Sequence, residues 1–211
     1  MGLYIFDEID LAGYGFYDGL KSFLSEQRLS KVNRLRSQSG KTASAAVYLL
    51  LRIALIETYG INEAVIFELG KNKKPFLKDY PHILFNLSHS NNAVACALAD
   101  VEIGTDIQQI RETKDKLAKR VLTADEYLGF LKDPVPDDYF CEIWTIKESY
   151  LKMTGAGITK ELGDITAEDV SFKRTIRGND YFCSVCAADK LCIDNLKVKY
   201  VRRDDFELLR K

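Results

Sequence analysis

Two short segments carry side chains that could together hold a divalent cation and a phosphate group. In the apolar run of residues 103–108, the alternation of side chains along a strand places Asp106 and Gln108 on the same face. A carboxylate and an amide oxygen beside Gly104, which lets another group approach, form half of a site for a hard cation such as Mg²⁺. The alternative interpretation is an edge strand with one polar face.

A predicted helix supplies the other half of such a site. Trp144, Glu148 and Lys152 follow one another at spacings of four residues and therefore lie on one stripe of that helix. Because the stripe includes Trp144, we expect it to face protein rather than bulk water. A half-buried carboxylate and ammonium could bind Mg²⁺ and neutralise a diphosphate. The alternative is a solvated Glu–Lys pair, which stabilises an isolated helix by only about 0.2–0.5 kcal/mol.

Positive charge and one histidine are concentrated in the first half of the chain. His89 lies in a polar string between two alternating runs, residues 83–87 and 93–98, which predict a β-hairpin with His89 at its tip. The basic residues form two groups: Arg28, Lys31, Arg34, Arg36 and Lys41, and then Lys71, Lys73 and Lys74. They predict a local anion-binding patch, although solvated faces and an exposed turn explain the same residues.

The elements that must position these residues alternate between helices and strands. In the first half, periodicity predicts an amphipathic helix over 20–35, a buried helix over 41–59 ended by Gly60, the hairpin, and a third meander strand over 101–110. In the second half, a Thr123–Glu126 capping box predicts a helix from Ala124, and a helix over 138–154 is closed by Gly155 and Gly157. Short strands follow over 170–200. This order predicts an α+β fold with two similar halves, residues 1–105 and 106–211.

Composition narrows the classes of function. The 211 residues are 46% hydrophobic, and 30 Lys and Arg balance 31 Asp and Glu, so nothing global indicates a nucleic-acid or membrane partner. The five cysteines suit reduced thiols better than a disulfide framework. With no secretory leader, and with the longest apolar run (47–56) interrupted by Arg52, we expect a cytoplasmic protein. We also expect a monomer.

Two motifs suggest a P-loop and a zinc site, but neither matches the pattern that such a site requires. Gly40-Lys41-Thr42 lacks the first glycine of a P-loop, because Leu35 occupies that position. Cys183 and Cys186 lie three residues apart in an alternating strand, which puts their side chains on opposite faces and prevents them from sharing a zinc ion.

Three motifs taken together resemble a known family. Their sequences are Phe85-Asn-Leu-Ser-His-Ser90, Ile103-Gly-Thr-Asp-Ile107 and Trp144-Thr-Ile-Lys-Glu-Ser-Tyr-Leu-Lys152, preceded by Lys74-Pro75. In order and spacing they are similar to the motifs of the 4′-phosphopantetheinyl transferases of the Sfp type, over about residues 20–188. The resemblance implies a pseudo-twofold α+β fold that binds coenzyme A between its halves. It also implies Mg²⁺-dependent transfer of phosphopantetheine to a serine of an apo acyl or peptidyl carrier protein.

The resemblance assigns roles to individual positions. Asp106 and Glu148 would ligate the metal, with Gln108 as a weaker third ligand where the family often has an acid, and Lys152 would contact the diphosphate. Glu148, directly or through a metal-bound water, is the implied base for the incoming serine. The remaining contacts to coenzyme A would come from Lys31, Lys41, Lys74, Ser88 and His89.

The sequence alone leaves two alternative functions open and suggests one surface for a partner protein. The alternatives are a module that binds coenzyme A or a carrier protein with impaired turnover, and a Mg²⁺-dependent nucleotide pyrophosphatase. Residues 111–120 contain five basic and two acidic side chains and are a candidate docking face for an acidic carrier protein, although a solvated helix explains them too.

Overall fold

The computed structural model describes residues 1–9, 14–70, 73–155 and 162–210. The strands are β1 (Gly2–Phe6), β2 (Phe67–Leu69), β3 (Pro75–Leu77), β4 (Leu84–His89), β5 (Val94–Ala99), β6 (Ile103–Gln109), β7 (Lys173–Arg177), β8 (Tyr181–Ala187) and β9 (Lys197–Tyr200). The α-helices are α1 (Tyr14–Leu20), α2 (Glu26–Asn33), α3 (Gln38–Tyr59), α4 (Asp115–Val121), α5 (Ala124–Lys132), α6 (Pro136–Thr154) and α7 (Lys190–Asp194). Among the described residues, 3-10 helices cover Lys21–Phe23, Leu162–Asp164 and Arg203–Arg210.

The long helix α3 forms the centre of the first core. It starts at Ser37, whose hydroxyl accepts a hydrogen bond from the Gly40 amide, and it ends at Gly60 in the left-handed conformation. Every residue from 42 to 55 is buried, which explains why the helix is apolar on all sides. By length and composition α3 could also cross a membrane, but 78% of its apolar window is buried inside the protein.

Two sheets hold the strands that matter for the site. The first has the order β4-β5-β1-β9 and packs against α3, and its last strand brings the C-terminal region back to pair in parallel with β1. The second has the order β6-β8-β7 and is covered by α6. Each sheet therefore carries one long helix, an α+β arrangement of the kind that the sequence predicted.

The expected three-stranded meander is wrong, because β6 pairs with β8 instead of joining the hairpin. Strand β6 still lies beside β4, but side chains replace the backbone ladder between them. Three backbone amides of β6 donate to alternate polar side chains at the end of the hairpin: Thr105 to Asn86 at 3.0 Å, Ile107 to Ser88 at 3.2 Å and Gln109 to Ser90 at 2.9 Å. This polar seam joins the two sheets.

Most other predicted elements are confirmed with small shifts in their ends, although the helix α7 interrupts the strands expected over 170–200. The 20–35 segment forms a 3-10 turn and α2, the Thr123–Glu126 capping box is present, and Gly155 ends α6 in the left-handed conformation. Gly157 lies outside the described residues. Cys183 and Cys186 point into different hydrophobic cores, as the alternation predicted, and all five cysteines are free thiols.

Candidate active site

Asp106 lies at the centre of the site, on the strand that borders both sheets. Its side chain is only 2% exposed and accepts three hydrogen bonds. Ser88 Oγ donates to Oδ1 at 2.8 Å, Lys152 Nζ reaches the same oxygen at 2.5 Å, and Gln108 Nε2 donates to Oδ2 at 3.1 Å. The carboxylate is thereby held in one orientation by β4, by its own strand and by α6.

Helix α6 reaches Asp106 because Gly104 has no side chain. A Cβ atom built on Gly104 would lie 2.0 Å from the carbonyl oxygen of Ser149 and 2.4 Å from the amide nitrogen of Met153. Those are backbone atoms, which cannot turn aside as a flexible side chain would. Glycine at this position therefore permits a helix-to-strand approach that no other residue would allow.

Glu148 faces the same region from α6 and is half-buried. Desolvation raises the pKa of its carboxyl group, the charge of Asp106 raises that pKa further, and Lys152 opposes the effect. The strand aspartate and the helix glutamate therefore lie within electrostatic reach of one another. The solvated Glu148–Lys152 pair considered from sequence does not form, because Lys152 pairs with Asp106 instead.

This donor set fits a hard divalent cation. Asp106 and Glu148 supply carboxylate oxygens, Gln108 adds an amide group beside them, and two mutually repelling carboxylates gain from a cation between them. Within the described ranges no group of three His, Cys, Asp or Glu side chains comes together. A cation held here would thus need phosphate or water oxygens to complete its ligand shell.

A cavity of about 840 Å³ extends to His89, the residue after Ser88, and its wall contains a buried arginine. The Arg28 residue is only 6% exposed, and its guanidinium lies 5.1 Å from the ring centroid of Tyr48 and 5.0 Å from that of Phe67. It donates to Ser44 Oγ at 3.3 Å. Burial lowers the pKa of Arg28 to about 10, which leaves it positively charged at neutral pH.

Arg28 has no acidic partner among the ion pairs of the described residues, and further cations line the same cavity. Lys31 and Arg34 lie on the wall with Arg28, and burial together with the charge of Arg28 lowers the pKa of Lys31. An uncompensated cluster of this kind favours a polyanion. The sequence showed Arg28 within a basic group, but only its burial beside a cavity distinguishes it from the solvated cations nearby.

His89 connects this cavity to a smaller one of about 340 Å³, whose wall it shares. The expected position at the hairpin tip is wrong. His89 pairs with Val94 as the last residue of β4, and the turn falls at Ser90–Ala93. Partial desolvation lowers the pKa of His89, and the nearby charges of Lys152 and Lys31 lower it further. Gln108 lines the smaller cavity, so the two cavities lead from Arg28 to the carboxylate site.

Two predicted contact residues do not reach these cavities. Lys74 Nζ bridges to Glu102 Oε2 at 2.5 Å and to the Met153 carbonyl at 3.0 Å, so it ties the end of α6 to β6. Lys41 lies in the first turn of α3 and is not among the described residues that line either cavity. Ser88 lies within β4, and its hydroxyl is already occupied by Asp106, Lys152 and β6.

An apolar slot of about 200 Å³ lies on the other side of Gln108. Phe140 and Trp144 of α6 line it together with Leu117 of α4. The indole nitrogen of Trp144 is buried without a hydrogen-bond partner among the described residues. The slot therefore offers an apolar wall formed by Leu117, Phe140 and Trp144.

Comparison with known proteins agrees with this geometry. A sequence profile of the 4′-phosphopantetheinyl transferase superfamily matches residues 102–201, the segment that contains β6 and α6. The chain is 34% identical to 4′-phosphopantetheinyl transferase psf-1 of Bacillus pumilus over 151 residues, which are 70% of this chain and 65% of that protein. It is 28% identical to a 4′-phosphopantetheinyl transferase of Bacillus subtilis over 205 residues, 88% and 91% of the two chains.

A third relative extends the pattern. The chain is 36% identical over 150 residues to 4′-phosphopantetheinyl transferase HetI of a Nostoc species, which are 67% of this chain and 63% of HetI. The alignments with psf-1 and HetI thus span slightly less than two thirds of those relatives. Motifs, geometry and relatives agree: the chain belongs to the 4′-phosphopantetheinyl transferase superfamily, of the Sfp type.

Proposed function

We propose that this protein transfers the 4′-phosphopantetheine group of coenzyme A to a serine hydroxyl of an apo acyl or peptidyl carrier protein. The reaction releases 3′,5′-ADP and depends on Mg²⁺. The observation that carries the proposal is the meeting of Asp106, Glu148 and Lys152 beside a cavity with the uncompensated cation Arg28. We also propose that the protein works as a monomer in the cytoplasm.

The cationic cavity would bind the nucleotide end of coenzyme A. Arg28 and Lys31 offer charge to its phosphates, and His89 lies between this cavity and the carboxylate site. The diphosphate would then reach Lys152, whose side chain is 30% exposed and already shares its ammonium with Ser88. The apolar slot with Trp144 suits the pantetheine arm.

The transfer breaks one P–O bond and forms another. The serine oxygen attacks the phosphorus that carries pantetheine, and the bond from that phosphorus to the oxygen of 3′,5′-ADP breaks. Glu148, which faces Asp106 from α6, accepts the serine proton. Lys152 neutralises charge on the leaving phosphate. When Mg²⁺ is bound by Asp106 and Glu148, it offsets the negative charge of the diphosphate.

The carrier protein would dock on residues 111–120. All five basic side chains there are exposed, and the segment leads into α4 beside the apolar slot. Charge reversal at Lys116 and Lys119 should raise the carrier KM several-fold without changing the affinity for coenzyme A. An unchanged carrier KM would remove this face from the proposal.

One assay separates transfer from the two alternatives. The protein is incubated with coenzyme A, Mg²⁺ and an apo carrier protein, and the carrier is then weighed by mass spectrometry. A gain of one phosphopantetheine supports the transferase. Cleavage of coenzyme A without a carrier would support the pyrophosphatase instead, and bound but intact coenzyme A would support the binding module.

Two variants sharpen this test. Glu148→Gln keeps the shape of the side chain but removes the base and a metal ligand, and we expect it to abolish transfer. Glu142→Gln changes an exposed glutamate on the same helix and should transfer at the wild-type rate. Near wild-type kcat in Glu148→Gln would contradict the role given to that residue.

A further inference from the structure

We propose that Lys147 is a positioning residue that fixes the rotation of α6 about its axis, and with it the placement of Glu148 and Lys152 against Asp106. The expected effect on the rate of transfer rests on the proposed function, but the effect on the orientation of α6 does not. Lys147 lies beside Glu148 in the sequence but points to a different side of the helix, about 100° around its axis.

The ammonium group of Lys147 is completely buried and has three hydrogen-bond acceptors. It donates to the Val121 carbonyl at 2.8 Å, to the Leu162 carbonyl at 3.1 Å and to Glu126 Oε2 at 2.5 Å. The side chain is 0% exposed. A lysine ammonium has three hydrogens, and each of them finds a partner here.

The partner carboxylate is equally well satisfied. Glu126 Oε2 also accepts from the Thr123 amide, and Oε1 accepts from the Ala167 amide, both at 2.8 Å. The pair therefore joins α6 to the end of α4, to the start of α5 and to two positions of the 162–167 segment. These anchor points surround one flank of α6.

Stability alone does not explain a lysine at this position. Removing two charges from water is costly, and apolar residues of similar volume often replace a buried ion pair without loss. The surroundings of Lys147 would suit such a residue, because Val121 and Leu162, whose carbonyl groups it contacts, pack in a hydrophobic core. Apolar contacts are not directional, whereas three hydrogen bonds to three segments allow only one orientation of the helix.

On its other flank α6 is fixed by its contact with Gly104, as described above. Successive residues of an α-helix are separated by about 100° around its axis. A rotation that loosened Lys147 would therefore carry Glu148 and Lys152 along the surface of β6. Glu148 and Lys152 act on the reacting groups, and a displacement of about 1 Å there can reduce the rate of transfer by about 10²-fold.

The test compares Lys147→Met, a side chain of similar length without charge, with the milder Glu126→Gln. We expect kcat for transfer to fall at least tenfold in Lys147→Met and by a smaller factor in Glu126→Gln. The Kd for coenzyme A, measured by calorimetry, should change much less than kcat, because Arg28 and Lys31 lie against the other core. The double variant should lose no more activity than Lys147→Met, because both changes remove one network.

A control for general destabilisation is Ile53→Val, a conservative change at a fully buried position in the first core. It should lower the melting temperature yet keep kcat at temperatures where the protein is folded. Folded Lys147→Met with wild-type kcat would overturn the proposal. So would a loss of activity that tracks the unfolded fraction equally in Lys147→Met and Ile53→Val.

A spectroscopic readout keeps the inference separate from the proposed function. Trp144 is the single tryptophan and lies one turn before Glu148 on α6. Its indole ¹H–¹⁵N resonance should shift in Lys147→Met and stay in place in Ile53→Val. If the wild-type protein transfers nothing, the proposed function fails, and this resonance still decides the positioning role: an unshifted signal in Lys147→Met refutes it.

Discussion

The substitution Gly104→Ala tests whether the approach of α6 to β6 builds the active site. The new Cβ would lie 2.0 Å from the Ser149 carbonyl oxygen and 2.4 Å from the Met153 amide nitrogen, whereas ordinary contact begins at 3.4 Å. Because both neighbours are backbone atoms, the helix and strand must separate by roughly 1 Å or more. Glu148 and Lys152 would move away from Asp106 by a similar distance.

The expected magnitudes follow from that displacement. Overpacking of a well-filled interior costs about 1–3 kcal/mol, and for a chain of this size each kcal/mol lowers the melting temperature by about 2–4 °C. A misplacement of about 1 Å at the reacting groups reduces kcat by about 10²-fold. The Kd for coenzyme A should change much less, because the cationic cavity lies against α2 and α3.

The assay measures melting temperature, transfer rate and coenzyme A binding for Gly104→Ala and for Gly19→Ala. Gly19 lies in α1, is exposed and has open space around an added Cβ. Its replacement should stabilise the helix by about 0.5–1 kcal/mol and leave transfer unchanged. A Gly104→Ala protein with wild-type melting temperature and kcat would refute the reasoning.

Three further predictions concern charges of the site. Lys152→Met should lower kcat by about 10²-fold yet tighten binding of Mn²⁺ to the ligand-free protein, measured by calorimetry, because Asp106 loses its competing ammonium. Arg28→Gln should raise the KM for coenzyme A roughly tenfold, the loss of about 1.4 kcal/mol, with kcat nearly constant in steady-state kinetics. Glu148→Gln should raise the melting temperature near neutral pH, because the raised pKa of Glu148 means that folding disfavours its ionised form; this gain should disappear below about pH 4.3, where the carboxyl group is protonated in both states.

Much of the local structure could be predicted because its signals are local. Ser37 and Gly60 lie beyond the ends of α3, the Thr123–Glu126 capping box starts α5, and Gly155 ends α6. The period of two placed Asp106 on the polar face of its strand, and helical spacing placed Trp144 with Glu148 and Lys152. Residues a few positions apart determine such features, so no knowledge of the fold was needed.

The partners of these elements could not be predicted in the same way. Strand β6 follows the hairpin closely and suggested a meander, yet it pairs with β8, some 80 residues later in the sequence, and meets β4 through side chains. His89 was predicted in the turn but lies in β4. Lys74 was predicted to contact the ligand but instead contacts Glu102 and Met153. The division into halves at residues 105 and 106 stays a prediction.

The sequence by itself determined which chemical groups this protein has and on which face of its helix or strand each one lies. Only the tertiary structure decided that Asp106 and Lys152 meet, that Lys147 is buried with Glu126, and that Arg28 is a buried cation beside a cavity. The physical reason is that backbone periodicity acts over a few residues. Burial, pairing of charges and the close contact at Gly104 depend on segments that only folding brings together.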